Sequence, residues 1–385
     1  MTLSSTQRVH LGLEAASTVR QEAQAQGAQR VFVLAGRTLA ADTDVVRAIE
    51  AELGPRHAGT WTGVTPHVPR ADVLAGAAAA RAVGADMLVA VGGGSVVDAA
   101  KVVNLCLRHD VLQSEELDRF AIGISKGGGW QRPSFEGPDL PLVCVPTTLS
   151  GGEFSSLAGV TDERSRKKQG INHAHMAPVA IVLDPRITVH TPQWLWLSTG
   201  VRSVDHATET LASQHSDMYC DGMADSALRL LSEGLRRVHH NPNDMEARLM
   251  CQVGTWQSKI PTMSGVPMGA SHAIGHVLGA LCGVPHGYTS CVMAPNVQAW
   301  NAPEVRDRQR RISAALGAPG RPAAALLDEL IRSLGLPRSL AEVGVPRERL
   351  QAIADATLED LWAATNPRPL RSSGDVMEIL RSACV

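Results

Sequence analysis

Short apolar runs rich in valine and leucine dominate roughly the first 185 residues of the chain. Four of these runs are typical of strands buried on both faces of a parallel sheet, and they cover residues 30–34, 87–91, 142–145 and 179–183. Between them, apolar residues at helical spacing predict helices over residues 42–53 and 71–83. This alternation of strand and helix predicts a doubly wound α/β domain.

Helical periodicity replaces the strand pattern from about residue 191 onward. Apolar residues recur at helical spacing in five segments, residues 221–238, 244–260, 304–316, 323–334 and 347–356. A chain of 385 residues is long enough for two domains, each with its own core. The sequence therefore predicts an α/β domain over residues 1–187 and an all-helical domain over residues 188–385.

Composition narrows the class of protein. The 38 acidic and 36 basic side chains give a net charge of −2, whereas binding to nucleic acid phosphates favours a cationic excess, so we expect no nucleic acid partner. The seven cysteines lack paired CxxC spacing, which is typical of reduced thiols. Neither an apolar leader nor an apolar window of about 18 residues is found, so we expect a cytoplasmic protein without a membrane partner.

A glycine-rich segment, MLVAVGGGSVVDAAK at residues 87–101, runs from a predicted strand into a predicted helix. Gly92, Gly93, Gly94 and Ser95 lie at the turn, where backbone N–H groups at the helix start can bind a pyrophosphate. The alternative is a tight turn without a ligand. Two hydroxyl residues, Thr147 and Thr148, also follow a predicted strand and should lie at the same carboxyl edge of the sheet.

Histidines concentrate in the segment GASHAIGHVLGALCGVPHG, residues 269–287. A spacing of four places His272 and His276 on one helical face. The Gly-Val-Pro break should end the helix and let His286, in the turn that follows, fold back toward that face. Three converging imidazoles would indicate either a metal site or proton-transfer chemistry.

Several motifs together resemble the iron-containing (group III) alcohol dehydrogenase family, which also includes dehydroquinate-synthase-like and glycerol-dehydrogenase-like enzymes. The matching segments are GGGSVVDAAK at 92–101, VPTT at 145–148, the strand ending in Asp-Pro at 179–185, and NPNDMEAR at 241–248. The resemblance implies an α/β nucleotide-binding domain, an all-helical domain and an active site between them. It also implies a homodimer and a nicotinamide coenzyme bound at the glycine-rich turn, Asp98, Thr147 and Thr148.

Metal-dependent members of this family carry the helix TGMDALTHAIE, whose aspartate and histidine bind the cation with two later histidines. The matching stretch here, TGVRSVDHATE at 199–209, has Arg202 at the aspartate position. A guanidinium cannot ligate a cation. His206, His272 and His286 could still hold zinc with an open fourth position, but the charge of Arg202 opposes a cation, so we favour action without metal. Asp205 is an alternative ligand, although it lies about 100° around the helix from His206.

Two further segments, NPRP at 366–369 and HVLG at 276–279, resemble the maleylacetate reductase branch of the family. That branch works without metal and reduces the carbon–carbon double bond of maleylacetate, a dianion from aromatic-ring degradation, to 3-oxoadipate. In such an enzyme Arg202 would bind a substrate carboxylate or the developing enolate oxygen. The alternative is that Arg202 pairs with Asp205 on the same helix. We favour His276 as the proton donor, with His286 as the other candidate.

Coenzyme choice depends on the end of the first predicted strand. Gly36 stands where NAD-selective relatives tend to have an aspartate, and Arg37 follows it. Because an arginine can bind a 2′-phosphate, we expect NADPH to be accepted, either alone or together with NADH, unless Arg37 points into solvent. Two other functions remain open. They are a metal-dependent alcohol dehydrogenase or aldehyde reductase acting on small substrates, and a nucleotide-binding protein without activity.

Overall fold

The computed structural model describes residues 5–124, 130–165 and 167–384. The chain divides into two compact units whose boundary lies between His190 and Thr191. The sequence predicts a boundary three residues earlier, between residues 187 and 188.

The first unit contains one large sheet and two short antiparallel pairs. Its strands are β1 (Arg8–Leu11), β2 (Val31–Ala35), β3 (His57–Trp61), β4 (Met87–Gly92), β5 (Gly123–Ile124), β6 (Trp130–Gln131), β7 (Leu142–Pro146), β8 (Leu157–Asp162), β9 (Lys167–Asn172) and β10 (Ala180–Leu183). The large sheet has the strand order β1-β10-β7-β4-β2-β3, and all its pairings are parallel. The remaining strands form the antiparallel pairs β5–β6 and β8–β9.

The four predicted strands are confirmed as β2, β4, β7 and β10, and every residue in them is buried. Each lies in the interior of the sheet, where both faces are covered, which explains their continuous apolar sequences. The two edge strands, β1 and β3, are only partly buried and carry polar residues. Their sequences therefore lack the continuous apolar run that reveals the other four.

The helices of the first unit alternate with the strands as the sequence predicts. They are α1 (Ala15–Ala25), α2 (Arg37–Asp42), α3 (Val45–Leu53), α4 (Arg70–Ala82) and α5 (Gly94–Arg108). The single helix predicted over residues 42–53 is wrong at its beginning, because Thr43 adopts an extended conformation that separates α2 from α3. Val19 of α1 and Ile49 of α3 pack in one core cluster with Val89 and Val143 of the sheet.

The described residues of the second unit form helices joined by loops and no strand, as the sequence predicts. Its helices are α6 (Gln193–Ala212), α7 (Met218–His240), α8 (Met245–Met263), α9 (Ala270–Cys282), α10 (His286–Asn301), α11 (Arg306–Ala315), α12 (Ala323–Ser333), α13 (Leu350–Thr357) and α14 (Ser373–Ser382). The five segments predicted from periodicity correspond to α7, α8, α11, α12 and α13. Residues of α9, α10, α13 and α14 form one apolar cluster that includes Ile274, Val292, Ile353 and Leu380.

None of the helices in the described ranges combines the length and the apolar character that a bilayer-spanning helix requires.

Candidate active site

The predicted coenzyme residues of the first unit meet at the carboxyl ends of three neighbouring strands, β2, β4 and β7. The backbone N–H of Gly36 donates to the carbonyl of Val91 (3.1 Å), and that of Thr147 donates to the carbonyl of Gly92 (3.0 Å). Gly92 has a φ of 156°, and a Cβ there would lie 2.9 Å from Cγ2 of Val96, so the turn requires glycine. We call this set of strand ends the coenzyme edge.

Helix α5 begins at the coenzyme edge. Gly93 is the residue before the helix, and a Cβ on it would lie 3.1 Å from Cγ2 of Thr148. Ser95 lies in the first turn of the helix and is partly exposed. First-turn N–H groups have no acceptor within their own helix, so a turn without side chains that leads into them fits a phosphate group.

Two other residues of the glycine-rich motif hold the fold together. One carboxylate oxygen of Asp98 accepts the N–H of Gly159 in β8 (3.1 Å). The buried Lys101 ammonium donates to the carbonyls of Gly152 (2.7 Å) and Leu157 (3.0 Å), and burial lowers the pKa of this lysine. At the other end of the coenzyme edge, Arg37 is the first residue of α2 and is exposed, which is compatible both with phosphate binding and with a solvent-facing side chain.

Four histidines of the second unit, His206, His272, His276 and His286, form what we call the histidine cluster. The rings of His206 and His272 lie 4.7 Å apart between centroids, and the ring of His276 lies 6.5 Å from that of His272. His286 does fold back onto α9, because a Cβ on Gly279 would lie 3.3 Å from its ring. It is the first residue of α10, however, so its predicted position in a turn is wrong.

Glu209, to which the sequence motifs assigned no role, links α6 to the beginning of α9. Its carboxylate accepts the N–H groups of Gly269 (3.0 Å) and Ser271 (2.9 Å) and lies 2.7 Å from Nδ1 of His272. Burial raises the pKa of Glu209 to about 7, despite the backbone donors. Glu209 lies on the same helix as Arg202 and His206, seven residues after the first and three after the second. These spacings place all three on one helical face, so a helical wheel is the signal that could have identified Glu209.

Asn366 of the NPRP segment also caps α9. Its side-chain oxygen accepts the N–H of Ala270 (3.0 Å), and its amide donates to Oδ1 of Asn301 (2.8 Å). Together with the Glu209 carboxylate, this cap satisfies the first donors of the helix that carries His272 and His276.

Arg202 reaches Asp205 through a hydroxyl group. Its Nη1 donates to Oγ of Ser290 (3.0 Å), and Oγ of Ser290 donates to Oδ2 of Asp205 (2.7 Å). Ser271 donates to the same carboxylate oxygen (2.7 Å). The direct i, i+3 pair considered from the sequence is thus replaced by a bridge through Ser290 of α10.

The surroundings of Arg202 combine close packing with partial exposure. A Cβ on Gly275 of α9 would lie 3.4 Å from Nη1 of Arg202, so the absence of a side chain allows the guanidinium to lie against the helix. Burial lowers the pKa of Arg202 without removing its charge, because the charges of Asp205 and Glu209 oppose that effect. Burial and the neighbouring Glu209 raise the pKa of Asp205 to about 6.

Two members of the histidine cluster are neutral. Burial lowers the pKa of both His206 and His272 well below the ordinary value, and the charges of Lys259 and Arg202 act in the same direction. Lys259 of α8 is partly buried and is a second cation near these histidines. Its segment matched none of the family motifs.

The three histidines suggested by the sequence as ligands are not the donor group that the structure brings together. In the described part of the chain, His206, His272 and His286 do not form a set of nitrogens within 4.8 Å of one another, whereas one atom each of Asp205, Glu209 and His272 does. In that second group, Glu209 and His272 are only 2.7 Å apart, shorter than the separation of about 3.3 Å between ligands of tetrahedral zinc. Because Asp205 already accepts two hydroxyl donors, the group is a hydrogen-bonded network.

His276 lies apart from that network and contacts a carboxylate outside it. Its Nδ1 is 2.9 Å from Oδ2 of Asp360, which follows α13. The side chain of His276 is 40% exposed. Asp360 is another residue that no sequence motif indicated, because it lies 84 positions from its partner.

The chain is similar in sequence to known proteins of one family. Residues 6–185 match the family profile described as iron-containing alcohol dehydrogenase, and residues 196–384 match the profile described as Fe-containing alcohol dehydrogenase family, C-terminal. The dehydrogenase ALT3 of Alternaria alternata is 32% identical, with 93% of this chain and 99% of that protein covered. A maleylacetate reductase of Burkholderia cepacia is 30% identical, with 94% and 92% covered.

A solved structure supports the same assignment. The crystal structure of maleylacetate reductase from Rhizobium sp. strain MTP-10005 superposes with a TM-score of 0.83 at 26% identity and covers 100% of this chain and 97% of that one. The two family profiles together extend over nearly the whole sequence. The chain is therefore an oxidoreductase that belongs to the iron-containing alcohol dehydrogenase family.

Proposed function

We propose that the protein uses NAD(P)H to reduce the activated double bond of an enone-type oxo-dicarboxylate, maleylacetate, to 3-oxoadipate, and that it does so without a metal ion. The observation that carries this proposal is the position of Arg202. A permanently charged guanidinium, fixed through Ser290 to the buried Asp205, stands where metal-dependent relatives have a ligand. Relatives named maleylacetate reductase support the choice of substrate.

The coenzyme edge accounts for nucleotide binding. When bound, the reduced nicotinamide supplies a hydride to the substrate and leaves as NAD(P)⁺. Gly92, Gly93, Gly94 and Ser95 offer a phosphate site at the beginning of α5, and Arg37 offers a cation for the 2′-phosphate of NADPH.

Arg202 binds the substrate and acts as the electrophile. Its bond to Ser290 uses one nitrogen, and the partly exposed guanidinium has further donors for a carboxylate or for the carbonyl oxygen of the enone. When hydride adds to the carbon β to the ketone, negative charge develops on that oxygen. A fixed cation placed there stabilises the enolate without reorganisation.

A proton completes the reaction. The enolate collapses to the ketone when the carbon α to it receives a proton, and His276 is the donor that we propose. Of the histidine cluster, His206 and His272 are almost completely buried, whereas His276 can exchange its proton with water.

The test is oxidation of NADPH and NADH with maleylacetate, on protein treated with EDTA and then assayed with and without added Fe(II) or Zn(II). We expect turnover in the chelator. Arg202→Ala should lower kcat/KM by about 100-fold or more, and Arg202→Lys should restore only part of it, because an ammonium lacks the planar fork.

Arg229→Ala is the matched control, since Arg229 is an exposed arginine on α7 whose partner is Asp225, and it should keep full activity. Activity that appears only after a metal is added, or only toward simple aldehydes, would refute the proposal in favour of a metal-dependent alcohol dehydrogenase.

A further inference from the structure

His276 differs from its neighbours in the histidine cluster. The side chain of His276 is 40% exposed, whereas that of His272 is 4% exposed and the whole residue His206 is 5% exposed. One ring nitrogen of His276, Nδ1, is held by the carboxylate of Asp360 at 2.9 Å. Asp360 therefore holds the ring at Nδ1, and the second ring nitrogen, Nε2, lies on the side away from this carboxylate.

The carboxylate of Asp360 is itself fixed by the backbone around it. Its Oδ1 accepts the N–H of Trp362 (2.9 Å), and its own N–H donates to the carbonyl of Thr357 at the end of α13 (3.1 Å). Its side chain is only 19% exposed. With Oδ1 held by the backbone, Oδ2 has a defined direction toward His276.

This geometry determines which ring nitrogen of His276 carries the permanent proton. A carboxylate accepts and does not donate, so Nδ1 must be the donor in this hydrogen bond. The neutral ring then has its lone pair on Nε2, and only the imidazolium carries a proton there. Asp360 lies beside the ring to balance the charge of that imidazolium.

We propose that Asp360 is a positioning residue of the reductase, which holds His276 so that Nε2 delivers the proton that completes the reduction. The inference rests on the proposed function. Hydride from NAD(P)H forms the new C–H bond at the β carbon and gives an enolate and NAD(P)⁺. The Nε2–H bond of the imidazolium then breaks as the second C–H bond forms at the α carbon, and the neutral His276 regains a proton from water.

The experiment compares wild type, Asp360→Asn, His276→Ala and the double variant by steady-state kinetics with maleylacetate. An asparagine keeps the bond to Trp362 but presents an amide donor to Nδ1, which reverses the tautomer. We expect kcat to fall about 10- to 100-fold in Asp360→Asn, with KM for the coenzyme unchanged. In the His276→Ala background the same substitution should have no further effect, because its action passes through the ring.

Asp355→Asn is the matched control. Asp355 lies on α13, is exposed, and accepts a hydrogen bond from Gln351 (2.9 Å), so this variant should keep the wild-type kcat. The tautomer of the neutral His276 ring is read separately by ¹⁵N NMR of histidine-labelled protein. The proton should be on Nδ1 in wild type and on Nε2 in Asp360→Asn.

The two readouts separate this inference from the proposed function. If wild type turns over maleylacetate but Asp360→Asn stays within twofold of it, or if the variant is equally harmful without His276, the positioning role is wrong and the proposed function stands. If wild type does not reduce maleylacetate, the proposed function fails. In that case the NMR tautomer still decides whether Asp360 sets the proton position.

Discussion

Replacement of the buried Glu209 by glutamine should change how the stability of the protein depends on pH. Burial raises the pKa of this carboxyl from 4.5 to about 7 in the folded protein. The folded state therefore retains a proton that the unfolded chain releases at lower pH. The contribution of Glu209 to the unfolding free energy is complete below pH 4.5 and is lost as the pH rises toward 7. In this range the unfolded state binds fewer protons than the folded state, so that stability falls with rising pH.

The size of this effect follows from the two pKa values. The difference between 4.5 and about 7, at about 1.4 kcal/mol for each pH unit, amounts to about 3 kcal/mol of unfolding free energy. The glutamine does not ionise and does not lose this stability. Its amide would face either the Gly269 or the Ser271 N–H, which the carboxylate accepts at present, at a pH-independent cost of about 1 kcal/mol.

The assay is urea-induced unfolding followed by circular dichroism from about pH 4 to about pH 8, with the free energy of each variant compared with wild type at each pH. Glu209→Gln should gain stability relative to wild type as the pH rises. Glu22→Gln is the matched control, because Glu22 has the same 4% exposure but the opposite shift. Burial alone would raise the pKa of Glu22, but hydrogen bonds from Arg8 and His10 outweigh burial and lower it.

Because the pKa of Glu22 is lowered, wild type should gain stability relative to Glu22→Gln as the pH rises to about 4.5, and the difference should be constant above that pH. The decisive quantity is the slope of the difference and not its offset. Parallel curves for wild type and Glu209→Gln between about pH 4.5 and about pH 7 would show that Glu209 ionises normally in the folded protein, and the reasoning from burial would be refuted.

Two further predictions concern ligand binding. Arg37→Ala should raise KM for NADPH about tenfold in steady-state assays and leave KM for NADH unchanged, because only NADPH has the 2′-phosphate. Equal effects on both coenzymes would contradict this role of Arg37. Lys259→Met should raise KM for a dicarboxylate substrate about tenfold, since the charge of Lys259 acts on the site at His206 and His272. An unchanged KM would show that this lysine does not face the substrate.

The sequence predicted the interior of the parallel sheet well and its edges poorly. Strands such as β4 are covered on both faces, so that apolar residues are required at every position. Edge strand β1 reads RVHL and is partly exposed, and no pattern in four such residues distinguishes it from a loop. The strands of the hairpin β8–β9 carry no continuous apolar run either, since their burial alternates or is weak.

For the site, the sequence indicated the residues that belong to motifs and missed their partners. His272 and His276 are recognisable from their spacing, but the groups that fix their rings, Glu209 and Asp360, lie 63 and 84 positions away. Contacts of this kind depend on how α6, α9 and the segment after α13 pack, which local periodicity does not encode. Ser290 was missed likewise, because only the approach of α10 to α6 brings its hydroxyl between Arg202 and Asp205.

The exchange of a ligand aspartate for Arg202 changes what this site can attract. A carboxylate at that position would point its charge at a cation shared with the histidines. Here the carboxylate of Asp205 instead accepts hydroxyl donors from Ser271 and Ser290 and faces Arg202 only through a serine. The negative charge is thereby buried behind the guanidinium, and the partly exposed group is the cation. Such an arrangement favours an anion over a metal ion, because the less buried of the two charges is positive.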